Sequence, residues 1–251
     1  MNNGAFVWYD LATTDPDAAG RFYQEVVGWA AEPVPEMDYT LLRAGETRAA
    51  GIMSLPPNLR VAGIRPHWTG YILTDDVDRM ATKVEQHGGC LRYGPQDIPG
   101  VGRVAAMTDP QGPLFYLFKA AGASQGDPGQ MRPSHVGWHE LIATDHAKAF
   151  EFYGALFGWT RGQAIDMGPM GTYQLFGYGG ADRGGMMNGP GGVPPHWLFY
   201  FVVEGIDAAK ARIEAAGGTV TSGPMEVPGG AWTVRGQDPQ GAAFALVSAT
   251  K

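Results

Sequence analysis

The sequence predicts an α+β fold assembled from four copies of a strand, a helix and about three further strands. Three observations lead there. Trp8-Tyr9-Asp10-Leu11-Ala12-Thr13-Thr14-Asp15 returns in the second half as Trp138-His139-Glu140-Leu141-Ile142-Ala143-Thr144-Asp145. The correspondence continues through Phe22-Tyr23 and Phe152-Tyr153, Gly28-Trp29 and Gly158-Trp159, and Asp109-Pro110-Gln111-Gly112 and Asp238-Pro239-Gln240-Gly241. A spacing held over half the chain marks a duplicated structural unit. Inside each half a weaker second copy begins at Trp68 and at Trp197.

The elements follow in order. Residues 6–12 are aromatic and aliphatic and predict a strand. Thr14 or Asp15 supplies an N-cap, and Pro16 suits the first helical position, where its missing N–H costs nothing. Ala18, Ala19, Phe22, Tyr23, Val26 and Val27 then recur at helical spacing until Gly28 stops the helix. The second copy repeats this from Thr144 to Gly158. Short strands punctuated by Gly and Pro follow at 39–43 and 49–54, matched by 172–178 and 184–188. The weaker copies run from a strand at 68–74 through Asp75-Asp76-Val77-Asp78 to Gly88-Gly89. Their counterpart runs from 197–203 through Gly205-Ile206-Asp207 to Gly217-Gly218. The last strands are 114–119 and 242–248. The expected division is a first domain at 1–121 (modules 4–63 and 64–121), a linker at 122–133, and a second domain at 134–251 (modules 134–192 and 193–251).

Composition narrows the function. The chain has 251 residues, 44% hydrophobic and 17% charged, which suits a globular protein with room for two cores. Its net charge of −7 argues against nucleic acid or an anionic membrane surface as partner. No apolar run approaches the ~20 residues of a membrane span. The N-terminus lacks the regions of a signal peptide. Cys90 is the single cysteine, which excludes an intrachain disulfide and a cysteine metal cluster. The expectation is a cytoplasmic protein, monomer or homodimer, with a small-molecule partner.

The strand-Asp-helix-Phe-Tyr-Gly-Trp opening of each half and the Asp-Pro-Gln-Gly turn before each final strand resemble the vicinal oxygen chelate superfamily. That superfamily includes glyoxalase I, bleomycin-resistance proteins and extradiol dioxygenases. The chain is most similar to tandem glyoxalase-like proteins with two such domains. The resemblance implies βαβββ modules paired into cupped mixed sheets with helices outside, and a substrate cavity in each cup. It leaves open whether modules pair in order or first with fourth and second with third. It also implies metal-ligand positions, which here fall on Trp8, Thr69, Tyr116 and the region of Met53, and on Trp138, Leu198, Ala245 and the region of Met187. None of these is a His or a carboxylate, so no metal and no other cofactor is expected.

Alternation along a strand puts residues two apart on one face. If Trp8 and Trp138 point into the cups, so do Asp10 and Glu140, while Tyr9, His139, Leu11 and Leu141 point away. The same parity groups His67, Thr69 and Tyr71, and His196, Leu198 and Tyr200. Tyr116, Met53 and Met187 complete the lining, and the second cup is expected to be the greasier one. Aromatic walls favour a flat or hydrophobic ligand. Three readings stay open. One is a binding protein with a metal-free cavity lined by Trp8, Met53, His67, Thr69, Tyr71, Tyr116, Trp138, Met187, His196 and Tyr200. Another is a metal-independent lyase, isomerase or cyclase with Asp10 or Glu140 as general base, since a carboxylate among aromatic rings loses solvation and its pKa rises. The last is a metal-dependent lyase or dioxygenase. Trp29 and Trp159 are expected at the barrel edge, and Asp109 and Asp238 in turns.

Overall fold

A computed structural model describes residues 3–122 and 131–251. Most of the expected linker, 123–130, lies outside the described residues. In the first half come β1 (Phe6–Thr13), α1 (Pro16–Val27), β2 (Ala30–Pro33), β3 (Tyr39–Ala44), β4 (Thr47–Ser54) and α2 (Pro57–Val61). Then follow β5 (His67–Leu73), α3 (Val77–Gln86), β6 (Cys90–Ile98), β7 (Gly102–Thr108) and β8 (Leu114–Ala120). The second half holds β9 (Val136–Ala143), α4 (His146–Phe157), β10 (Thr160–Asp166), β11 (Thr172–Tyr178) and β12 (Ala181–Asn188). It ends with β13 (His196–Val202), α5 (Ile206–Ala215), β14 (Thr219–Glu226), β15 (Trp232–Gln237) and β16 (Ala243–Ser248). The short helix α2, opening on Pro57, has no counterpart in the other modules and was not foreseen.

The strands form two mixed eight-stranded sheets, ordered β2-β3-β4-β1-β5-β8-β7-β6 and β10-β11-β12-β9-β13-β16-β15-β14, with the helices outside. In sheet order the modules therefore pair within each sequence half. The compact packing units do not follow the halves. Of the described residues, those within Met1–Trp8, Thr69–Pro128 and His139–Trp197 form one unit; those within Tyr9–Trp68, Gly129–Trp138 and Leu198–Lys251 form the other.

Local chemistry sets the helix limits. Asp15 accepts the Ala18 N–H at 2.9 Å ahead of α1, and Asp145 accepts the Ala147 and Lys148 N–H groups at 3.1 Å ahead of α4. Gly28 and Gly158 end these helices with φ of 84° and 69°, which a side chain tolerates poorly.

In the second unit, α1 and α5 lie over a ring-rich core. Phe22, Tyr23, Trp29, Trp68, Phe201 and Phe244 are all buried, and Trp29 and Phe201 meet edge-on at 4.8 Å. Tyr23 donates its hydroxyl to Asp238 Oδ2 at 3.2 Å and accepts the Trp68 indole N–H at 2.8 Å. The other Asp238 oxygen accepts the Gln240 and Ala242 N–H groups of its own turn. The first unit repeats this chain of bonds. Tyr153 donates to Asp109 Oδ2 at 3.1 Å and accepts the Trp197 N–H at 3.1 Å, while Asp109 Oδ1 holds the Gln111 and Gly112 N–H groups. Burial raises both carboxyls above the usual range, and the turn N–H groups only partly offset that. These aspartates do make turns, as expected, and each also carries the hydroxyl of the Phe-Tyr helix. Trp29 and Trp159 are not edge covers. They are 1% and 4% exposed, with indole N–H groups on Ser134 O at 2.6 Å and Gly4 O at 2.7 Å, because ring area this large stabilises most when enclosed.

His139 sits in the first unit, 6% exposed, stacked on Phe6 with ring centroids 4.4 Å apart. Its Nδ1 lies 2.8 Å from the Arg183 carbonyl, which can only accept, so Nδ1 carries the proton. Burial lowers its pKa to about 4.

Two outcomes follow. Tyr23→Phe and Tyr153→Phe each strip a buried carboxylate oxygen of its O–H donor and lower unfolding free energy by about 1–3 kcal/mol in urea titrations; an unchanged midpoint would show the bond to be dispensable. Between pH 6.5 and about 4 the unfolded chain protonates His139 while the folded chain does not. Stability rises with pH across that window, so acidification removes up to about 3 kcal/mol, and His139→Phe flattens the profile there. Equal pH profiles for the two proteins would refute this.

Candidate functional site

The site residues form four small clusters, two in each compact unit. In the second unit, the parallel pairing of β1 with β4 sets Asp10 opposite Gly51, and the antiparallel pairing of β3 with β4 sets Tyr39 opposite Met53. The Tyr39 side chain crosses β4 diagonally and donates its hydroxyl to Asp10 Oδ1 at 2.7 Å. A Cβ on Gly51 would overlap the Tyr39 phenol and press on Asp10 Oδ1, so the crossing requires glycine. Asp10 is 6% exposed, while Tyr39 and Met53 are half-buried.

The other cluster of that unit is apolar. Leu198, Tyr200 and Val202 on β13 pack with Ala245 and Val247 on β16, and Trp138, Ala231 and Ala243 lie partly buried against them. Ala245 is the register partner of both Tyr200 and Arg235. Arg235 Nε donates to Tyr200 Oη at 3.2 Å. This adds one polar group beside an otherwise apolar lining. The polar group moved to β15, a strand left out of the parity argument, where the first half has Ala106 opposite Tyr116.

In the first unit, Tyr71 and Tyr116 are register partners on β5 and β8, and their rings stack at 4.5 Å with an interplanar angle of 13°. Phe118 presents an edge to Tyr71 at 6.3 Å, and Thr69 is buried two residues before Tyr71. Trp8 is half-buried. The fourth cluster repeats the β4 crossing. Glu140 lies opposite Gly185 on β12, Tyr173 lies opposite Met187, and a Cβ on Gly185 would overlap the Tyr173 ring. Glu140 and Met187 are buried.

His67 and His196 stand at the starts of β5 and β13, each half-buried, with Nδ1 at 2.8 Å from the Arg65 and Pro194 carbonyls. Each ring is held by its own turn, and burial moves the His67 pKa below its ordinary value. Among the described residues, no three His, Cys, Asp or Glu side chains converge on a point. The positions that the resemblance assigns to metal ligands carry indole, thioether, phenol, hydroxyl and alkyl groups. That donor set does not fit a divalent ion, which needs several imidazole, carboxylate or thiolate donors. Tyr39 and Tyr173 belong to these clusters although strand parity did not single them out. The paired glycines Gly51 and Gly185 were the available signal.

Comparison with known proteins bears on the fold and the family. The model of the glyoxalase/bleomycin resistance protein/dioxygenase superfamily matches residues 5–117 and 132–246. The CFP32 protein of Mycobacterium tuberculosis, whose name describes it as a glyoxylase, is 35% identical over 96% of this chain and 93% of its own. The anthracycline biosynthesis protein DnrV of Streptomyces peucetius is 31% identical over 97% and 93%. Among solved structures, the Mn(II)-bound glyoxalase of Novosphingobium aromaticivorans superposes with a TM-score of 0.69 at 17% identity, over 100% of this chain and 83% of that one. The 2,3-dioxygenase LapB of Pseudomonas sp. KL28 gives 0.66 at 12% identity, over 99% and 93%. Two consecutive family matches, full-length relatives and the sheet topology together make this chain a tandem member of the glyoxalase/bleomycin resistance protein/dioxygenase superfamily.

Proposed function

We propose that the chain binds a small, planar aromatic or hydrophobic molecule without a metal ion. The observation that carries this reading is the Tyr71–Tyr116 stack. At a position where the resemblance puts a metal ligand stands a phenol ring packed face to face on another. The apolar set around Trp138, Leu198 and Tyr200 supports it, since stacked and edge-on rings favour flat ligands. So does the likeness to a protein named for anthracycline biosynthesis, because anthracyclines are flat and polycyclic.

A second reading makes the same residues catalytic. Asp10, 6% exposed and oriented by the Tyr39 hydroxyl, has the placement of a general base for a lyase, isomerase or cyclase reaction, with Glu140 as its counterpart. Protein-catalysed deuterium exchange into the acetyl group of 2-acetylnaphthalene, lost in Asp10→Asn, would support it. Without such exchange the binding reading stands alone.

The binding test uses 2-methoxynaphthalene in equilibrium dialysis. The native protein retains the probe, and dialysis against a chelator beforehand changes nothing. Tyr116→Ala and Trp138→Ala each weaken binding by about fivefold, the worth of one aromatic contact. Absence of binding, or its loss on chelation, refutes the reading.

A further inference from the structure

We propose that α2 and the β2–β3 loop, at one end of the first sheet, form the contact surface for a second copy of this chain, joined about a two-fold axis.

Apolar side chains gather at that end. Residues 56–65 are exposed without a break, between buried Leu55 and half-buried Pro66. Their own backbone holds their shape. The Ile64 N–H donates to the Leu59 carbonyl and the Gly63 N–H to the Arg60 carbonyl, each at 3.0 Å, with Gly63 at a φ of 85°. This closing turn brings Ile64 back toward Leu59. Both remain exposed, and Val61 is 90% exposed. Met37, in the β2–β3 loop, is exposed as well. Ser54 Oγ donates to Asp38 Oδ1 at 2.9 Å, which ties that loop to the strand end from which α2 departs. Apolar side chains grouped in this way on a surface mark a contact site, whereas single ones need no explanation.

The charges say what covers it. From Thr47 to Thr74 the chain carries Arg48, Arg60 and Arg65 and no acid, while the adjoining 34–38 carries Glu36 and Asp38 and no base. Among the described residues, the side chains of Arg60, Arg65 and Glu36 enter no hydrogen bond or ion pair. A basic apolar surface beside an acidic apolar one is self-complementary. A two-fold rotation sets Arg60 and Arg65 of one copy against Glu36 and Asp38 of the other, and does so twice. Copies with a net charge of −7 repel at long range, so their association needs such a local match. An anionic lipid surface would meet the two acids as well as the arginines. The second half acts as a control. Its corresponding connections, 167–171 and 189–195, hold no charged residue, and no α-helix lies between β12 and β13. The module itself therefore requires neither these charges nor α2.

Sedimentation equilibrium of the full chain tests this. The native protein is a dimer at roughly 100 μM. Val61→Asp raises the dissociation constant by at least tenfold, roughly the worth of one buried valine. Arg60→Glu with Arg65→Glu, and Glu36→Lys with Asp38→Lys, each do the same by setting like charges together. Mixed in equal amounts, the two charge-reversed proteins recover the native dimer, because each reversed patch meets its reversed complement. Melting curves confirm that each variant is native, and Glu36→Lys alone serves if its double variant does not fold. A native protein that stays monomeric overturns the inference; if that monomer cosediments with phosphatidylserine vesicles, the surface belongs to a lipid instead. A dimer indifferent to the substitutions, or a mixture that stays monomeric, overturns it equally.

Discussion

Each compact unit depends on a buried tyrosine whose hydroxyl is shared between an aspartate and an indole. In both, an aspartate holds its own turn with one oxygen and a helix tyrosine with the other, and a tryptophan N–H closes the sequence of bonds. A carboxylate taken out of water is tolerated only where its lone pairs are satisfied, and here the turn and the helix satisfy them together. The consequence is positional. Tyr23 belongs to the first module and Asp238 to the fourth, while Tyr153 belongs to the third and Asp109 to the second. Segments far apart in the chain are fixed to one another by the residues that looked, in one dimension, like simple punctuation.

Much of the architecture was legible because its signals are local. Caps at Asp15 and Asp145, helix stops at Gly28 and Gly158, and alternation in the strands depend on neighbours a few positions away. The packing units were not legible, because they are decided by which side chains meet across the helix-covered faces, and no periodicity encodes that. The corrected positions of Trp29 and Trp159 have the same origin. A tryptophan after a helix stop reads equally as cover or as core until its indole N–H has a known acceptor.

The candidate site was legible in part. Asp10 and Glu140 could be picked out from strand parity and comparison of the halves. Tyr39 and Tyr173 could not be given a role, since a side chain that crosses a neighbouring strand obeys no spacing rule along its own. Arg235 escaped for a related reason. Its counterpart Ala106 is small, so matching the two halves residue by residue drew no attention to that strand.

The exchange of bulk around Ala245 has an evolutionary consequence. In the first half the register row reads Tyr71, Tyr116, Ala106; in the second it reads Tyr200, Ala245, Arg235. Ala245 is fully buried between the tyrosine and the arginine whose side chains bond to each other. A tyrosine placed there would require the guanidinium to leave first, and an arginine added at Ala106 would meet the Tyr71–Tyr116 stack. Single steps in either direction pass through an overfilled intermediate. Once the row had diverged in this way, neither half could take on the other's packing by a single substitution.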